Sequence, residues 1–311
     1  IISGEVKMIN DKHKDRLFTF LFGREEHKDW TLSLYNAVNR TNYTEPDEIE
    51  IVTIENAVYM GMKNDLAFIL HCHMSLYEHQ STFNPNMPLR GLMYAGMLYD
   101  KYIHRHKLNI YGSKIIRVPI PKLMTFYNGT DETEDRVLLC LSDAFPDGAD
   151  IRESDIEVTV TMLNINHGRN RELMNACRPL AEYAWFIEEI RKNQAGKMDI
   201  ETAVDKAIDD MPDAYVIKTI LIANRAEVKQ MCITEYDEAE TMRMFREEAH
   251  LEGKLEGRKE GRLEGRLEGE DKLGQLIDIL LANKRTDDAR KAAVDKNVRK
   301  KLYKEFHIMP D

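Results

Sequence analysis

The chain has 311 residues, is 43% hydrophobic, and sets 44 Lys or Arg against 54 Asp or Glu for a formal net charge of −10. That apolar content can bury one large core or two modest ones, and the acidic balance excludes indiscriminate coating of nucleic acid, leaving only local basic patches for a polyanion. No run approaches the ~20 consecutive apolar residues that cross a bilayer, and residues 1–10 lack the pattern of a secretory signal, so a soluble, cytoplasmic protein with no membrane partner is expected. Met8 is read as the natural start. Cys72, Cys140, Cys177 and Cys232 form no Cys-x-x-Cys pair and read as reduced, buried thiols.

In chain order, Leu17, Phe18, Leu21 and Phe22 recur at helical spacing, as do Leu34 and Val38 after Trp30, which predicts two helices. Beyond a turn-forming stretch, Ile49, Ile51 and Thr53 alternate with Glu50, Val52 and Ile54 in a strand pattern. Residues 65–70 are an apolar β-type run. Residues 74–81 alternate with period two until Asn84, Pro85, Asn86 and Pro88 end them. Helical spacing returns over 89–103, with Pro88 suited to the first turn. Residues 123–127 then form a strand closed by Asn128 and Gly129. The predicted order is helix, three strands, helix, strand, an α/β arrangement. Residues 136–141 and 156–165 add strands, and from Arg171 onward the pattern is helical. The expected organisation is a core over 8–170, a helical extension over 171–249, a repeat helix over 250–273 and basic helices over 274–311.

Period-two geometry puts Glu78 and Gln80 on one strand face and His79 on the other. If Asp65 opens the neighbouring strand on the same face, two carboxylates converge with a neutral amide in an oxygen-lined pocket suited to magnesium or manganese. Such an ion offsets charge building on a phosphodiester and acidifies a bound water. Charged residues on a strand's solvent face give the same spacing. The apolar neighbours Phe68, Ile69, Leu70, Leu76 and Tyr77 speak for burial instead, where unpaired carboxylates are costly. His71 and His73 share parity, but nothing completes a tetrahedral zinc site around them.

The helix, three strands, helix, strand order, with an acid on the second strand and Glu-x-Gln on the third, resembles the PD-(D/E)XK nuclease superfamily. The stretches DRLFTFLFG, NDLAFIL, LYEHQSTFNPNMPLRGLMY, FYNGT, LSDAF and TMLNINHGRNREL resemble its transposase-like branch, the recombination-promoting nucleases associated with mobile elements. The similarity runs from about Asp15 to the glycine repeat. It implies a restriction-endonuclease-like core with a mainly helical C-terminal region, acting as a Mg2+- or Mn2+-dependent DNA endonuclease. It carries over Asp65 and Glu78 as metal ligands and Gln80 at the position that most of the superfamily fills with Lys. Asn64 stands where the superfamily name has Pro. A neutral amide orients water but supplies neither positive charge nor a base. Many members also place an acid on the first helix; Asp15, Glu25, Glu26 and Asp29 are candidates, and Asp15 is favoured because it begins DRLFTFLFG. An N-terminal helix acid stabilised by the dipole gives the same pattern. The alternative is a catalytically inactive DNA-binding or partner-binding protein of a mobile element.

Lys101, Arg105, Lys107, Lys114, Arg117 and Lys122 follow one another with no acidic residue between them. With the core so assigned they are expected to contact DNA phosphates, against the alternative of a solvated face. From Lys284 to Lys304, nine Lys or Arg face three Asp, a second basic patch suited to DNA. Between the patches lies a four-residue repeat. Gly253, Gly257, Gly261, Gly265 and Gly269 recur beside Glu252, Glu256, Glu260, Glu264 and Glu268, with Lys254, Arg258, Arg262 and Arg266 in a third row. Like charges four apart and interior glycines, each costing roughly 1 kcal/mol relative to Ala, make an isolated helix marginal. A partner helix would stabilise it, because small residues permit close approach and Leu251, Leu255, Leu263 and Leu267 supply an apolar stripe. A homo-oligomer through residues 250–273, with right-handed supercoiling, is therefore expected; a flexible, partly helical tether is the alternative.

Overall fold

The computed structural model of the chain describes residues 16–53 and 65–308 and divides into two compact units, Ile1–Glu240 and Thr241–Asp311. The first unit is α/β. Its opening helix α1 (Leu17–Phe22) buries Leu17, Phe18, Phe20, Leu21 and Phe22 and leaves only Thr19 partly exposed. Helix α2 (Lys28–Asn39) buries Thr31, Leu32, Leu34 and Tyr35. Strand β1 (Glu50–Ile51) pairs antiparallel with β2 (Leu66–Leu70), and β2 pairs antiparallel with β3 (His73–Gln80). Helix α3 (Met87–Arg105), with a proline in its first turn, carries the chain over to β4 (Ile120–Tyr127). Strand β4 lies parallel to β3, a pairing that requires such a crossover. Strands β5 (Arg136–Cys140) and β6 (Thr159–Asn164) complete a six-stranded mixed sheet of order β1-β2-β3-β4-β6-β5. The first strand pattern shortens to two residues, and Ile54 and Asn64 lie outside the described residues.

Strand parity sorts side chains into two layers. On one face Ala67, Ile69, Met74 and Leu76 pack against Tyr94, Ala95 and Leu98 of α3. On the other, Phe68, Tyr77 and Phe126 meet Phe18, Leu34, Tyr183 and Val204. This second layer includes α4 (Arg171–Ala176), α5 (Arg178–Ala195), α6 (Ile200–Asp209) and α7 (Lys218–Ala223). Helices α4 to α7 therefore share the sheet's own core, which is where their apolar stripes are buried. The expectation of buried thiols is met at Cys177 and Cys232 but not at the exposed Cys72.

Helix α8 (Arg225–Ala282) carries the whole glycine repeat. In the second unit its Leu276 and Leu280 bury against α9 (Thr286–Val294) and α10 (Lys296–Glu305), where Ala289, Ala292, Leu302 and Tyr303 complete a small core. Asp295 caps α10 by accepting the N–H groups of Asn297 and Val298. Among the described residues no helix is long and apolar enough to cross a membrane.

Candidate active site

The β2–β3 register pairs Leu66 with Tyr77, so one further step sets Asp65 opposite Glu78. Both sit on the α3 side of the sheet by parity. The Asp65 carboxylate accepts the N–H of His79 through Oδ2 at 2.7 Å, and Glu78 accepts the N–H of Asp65 through Oε1 at 3.1 Å. Glu78 is 5% exposed. Burial, reinforced by the neighbouring Asp65 charge, pushes its carboxyl up to about 8. Two cations offset the pair. Arg90 of α3 places Nη2 3.3 Å from Glu78 Oε2 and donates to the Tyr94 hydroxyl at 2.9 Å. Arg16, just before α1, donates to the His79 carbonyl and lies 3.6 Å from Asp65 Oδ2.

Gln80 follows on the same face. Its Nε2 donates to Met87 Sδ at 2.7 Å, whereas its Oε1 is buried with no hydrogen-bond partner among the described residues. A buried acceptor left unsatisfied costs about 1–3 kcal/mol. Together with the two carboxylates it makes an all-oxygen donor set, which is the chemistry Mg2+ and Mn2+ select. Among the described residues no group of three His, Cys, Asp or Glu is arranged to hold a metal. An ion here would rest on two carboxylates and the amide oxygen, the remaining ligands being water, as is usual for Mg2+. The residues fit such an ion.

Asp15 lies outside the described residues. Of the other first-helix candidates, Glu25 pairs with Lys28 and Glu26 with Arg24 beyond the far end of α1 from Arg16, and Asp29 belongs to α2. His79 faces the opposite layer, where it stacks on Phe18 and shares a hydrogen bond with the Tyr183 hydroxyl at 2.9 Å. Burial drives its pKa well below the usual imidazole value, so it stays neutral. His71 pairs with Glu48 and His73 with Tyr35, so the two do not converge.

The FYNGT and NINHGRN stretches hold the strand ends beside the site. An added Cβ at Gly129 would lie 2.4 Å from the Ser81 carbonyl oxygen, and Asn166 donates to the Gly129 carbonyl at 3.0 Å. Gly168 (φ 85°) turns the following loop. A cleft of about 850 Å³ between α2 and α4, lined by Asp29, Asn36, Arg40, Asn170 and Glu172, contains neither Asp65 nor Glu78.

The structure does not bring the first basic run to these carboxylates. Helix α3 runs back along β3, so its C-terminal end and the following loop lie at the other end of the strand, ~17 Å from Glu78 at the rise of an extended chain. There Lys101 donates to the carbonyls of Val52 and Thr53, Arg105 pairs with Glu50, and Lys107, Lys114 and Arg117 are exposed.

The cations beside the site are instead Arg90 and Arg16, which strand and helix spacing did not single out. A signal for Arg90 exists: Met87, Arg90, Tyr94 and Leu98 form one helical stripe, and a lone arginine on an apolar stripe needs a buried anion. No such signal marks Arg16. No protein family, curated protein or solved structure matches this chain.

Proposed function

We propose that the chain is a metal-dependent DNA endonuclease of the PD-(D/E)XK type, hydrolysing phosphodiester bonds and related to the recombination-associated nucleases of mobile elements. The observation that carries this reading is the meeting of Asp65 and Glu78 on adjacent strands, with the unpartnered Gln80 oxygen on the same face. Asp65, Glu78 and Gln80 would hold Mg2+ or Mn2+. A bound ion supplies a Lewis acid for the scissile phosphate and acidifies water at neutral pH. Gln80 orients water through its amide, having no charge of its own to contribute. Arg90 provides the positive charge that Gln80 cannot, because its guanidinium sits beside Glu78, where it offsets charge developing on a phosphate. Arg16 plays the same part beside Asp65.

The glycine repeat supports self-association. An added Cβ at Gly257, Gly261, Gly265 or Gly269 meets nothing within 4 Å, and Leu263 and Leu267 are more than half exposed. A second copy of this helix would cover that stripe, and pairing two active sites would suit double-strand cleavage.

Plasmid nicking with magnesium tests the reading, comparing the unaltered protein with Asp65→Ala and Glu78→Ala. Loss of nicking in both variants is expected; equal nicking by all three would assign the activity to a contaminant. A second reading, a nucleic-acid-binding protein without catalysis, draws on the ion pairs themselves, since Arg90 and Arg16 compensate the carboxylates without any metal. It predicts binding without nicking in the unaltered protein.

A further inference from the structure

We propose that the loop joining α3 to β4, residues 106–119, is a second nucleic-acid contact, in which Tyr111 and Ile115 engage bases while Lys107, Lys114 and Arg117 hold phosphates. This extends the DNA reading above to a surface remote from the carboxylates. Tyr111 is 93% exposed and Ile115 91%, and Ile110, Val118 and Ile120 are exposed beside them. Large apolar side chains gathered in solvent mark an interaction surface rather than a core.

The charges name the partner. Lys107, Lys114, Arg117 and Lys122 are all exposed, and no acidic residue occurs between Lys101 and Lys122. Among the described residues Glu50 pairs with Arg105 and Asp100 with His104. In a chain of net charge −10 this loop sets cations beside exposed apolar groups with no acidic residue among them. That combination suits a nucleic acid, whose phosphates take the cations while its bases take an aromatic face or an apolar wedge.

The loop is held at both ends. The Tyr99 hydroxyl donates to the Pro119 carbonyl at 2.8 Å, the Ile120 N–H to the Cys72 carbonyl at 2.7 Å, and the Leu108 N–H to the Ile103 carbonyl at 2.9 Å. At its tip the Tyr111 N–H donates to Asn109 Oδ1 at 3.0 Å. The loop's offset from Glu78, ~17 Å along β3, is about five base-pair rises, so a short duplex reaches both.

Fluorescence anisotropy with a labelled duplex and the matching single strand tests this on the full chain carrying Asp65→Asn. The variants are Tyr111→Ser with Ile115→Ser, and Lys107→Gln with Lys114→Gln and Arg117→Gln. Co-sedimentation with phosphatidylserine vesicles runs alongside. Because the altered side chains are exposed, melting temperatures should not move. The apolar pair should weaken nucleic-acid binding by about tenfold or more. The triple variant should flatten the dependence of log K on log salt by roughly 2.7 for duplex, the slope lost with three phosphate contacts. Unchanged binding of both nucleic acids in both variants would overturn the proposal. So would loss of vesicle binding with nucleic-acid binding intact, which would assign the loop to a lipid surface. A chain that binds through this loop yet never nicks plasmid refutes the endonuclease reading alone, whereas one that nicks but binds independently of the loop refutes this inference alone.

Discussion

Asp65 and Glu78 each bond to the backbone of the other's neighbourhood: Glu78 Oε1 takes the Asp65 N–H at 3.1 Å, and Asp65 Oδ2 takes the His79 N–H at 2.7 Å. The two carboxylates therefore lock the β2–β3 register at the end where they would act. A slip of one residue would turn Glu78 into the aromatic layer and His79 toward α3.

The first consequence concerns pH. Glu78 moves from an ordinary 4.5 to about 8 on folding, so the folded chain holds this proton more tightly than the unfolded one. Its contribution to stability is complete below about pH 4.5 and is lost as pH rises through about 8. Melting of the metal-free protein should fall across that window, with a change on the order of a few kcal/mol, and Glu78→Gln should flatten the profile. Magnesium must displace the same proton, so its affinity should climb between about pH 6 and 8, with proton release measurable by calorimetry in buffers of different ionisation enthalpy. Parallel melting profiles for the two proteins would show that Glu78 is not the titrating group.

Removing Arg90 should expose the cost of the buried carboxylate. Above about pH 8, where Glu78 is ionised, Arg90→Ala leaves its carboxylate without the guanidinium neighbour, a loss of about 3–5 kcal/mol for a broken buried pair, at the lower end here because Arg90 is a third exposed. Arg90→Met with Glu78→Gln should recover most of it. Urea denaturation of the single and double variants measures the coupling, and additive losses would mean that the two side chains do not interact.

Tyr183 ties His79 to Asn128, which donates to its hydroxyl at 3.1 Å. Tyr183→Phe leaves two buried polar groups without that partner and should lower stability by about 1–3 kcal/mol. Nicking, measured below the melting transition, should survive, since Tyr183 lies on the opposite face of the sheet from Glu78.

The glycines of α8 separate a partnered helix from a lone one. In a lone helix, Gly261→Ala and Gly265→Ala would each stabilise by about 1 kcal/mol through helix propensity. If a second copy packs closely on this row, the added methyl groups obstruct it, and sedimentation equilibrium should show weaker self-association than for the unaltered chain. Equal association, or a monomer in both, would exclude packing on the glycine row.

Much of this architecture is legible in the sequence. Period two separated Glu78 and Gln80 from His79, and Pro88 marked the start of α3 to within a residue, because side-chain direction and helix initiation follow from the backbone within a few positions. What the linear order withheld was everything that depends on register and crossover. Arg16 reaches Asp65 across the end of the sheet, and Arg90 reaches Glu78 because α3 folds back over β3. The same fold-back sets Lys107, Lys114 and Arg117 at the end of β3 away from the carboxylates. The helices beyond Arg171 joined the sheet's core for a related reason: an apolar stripe announces that it will be buried, but the surface that buries it is chosen by contacts between distant segments.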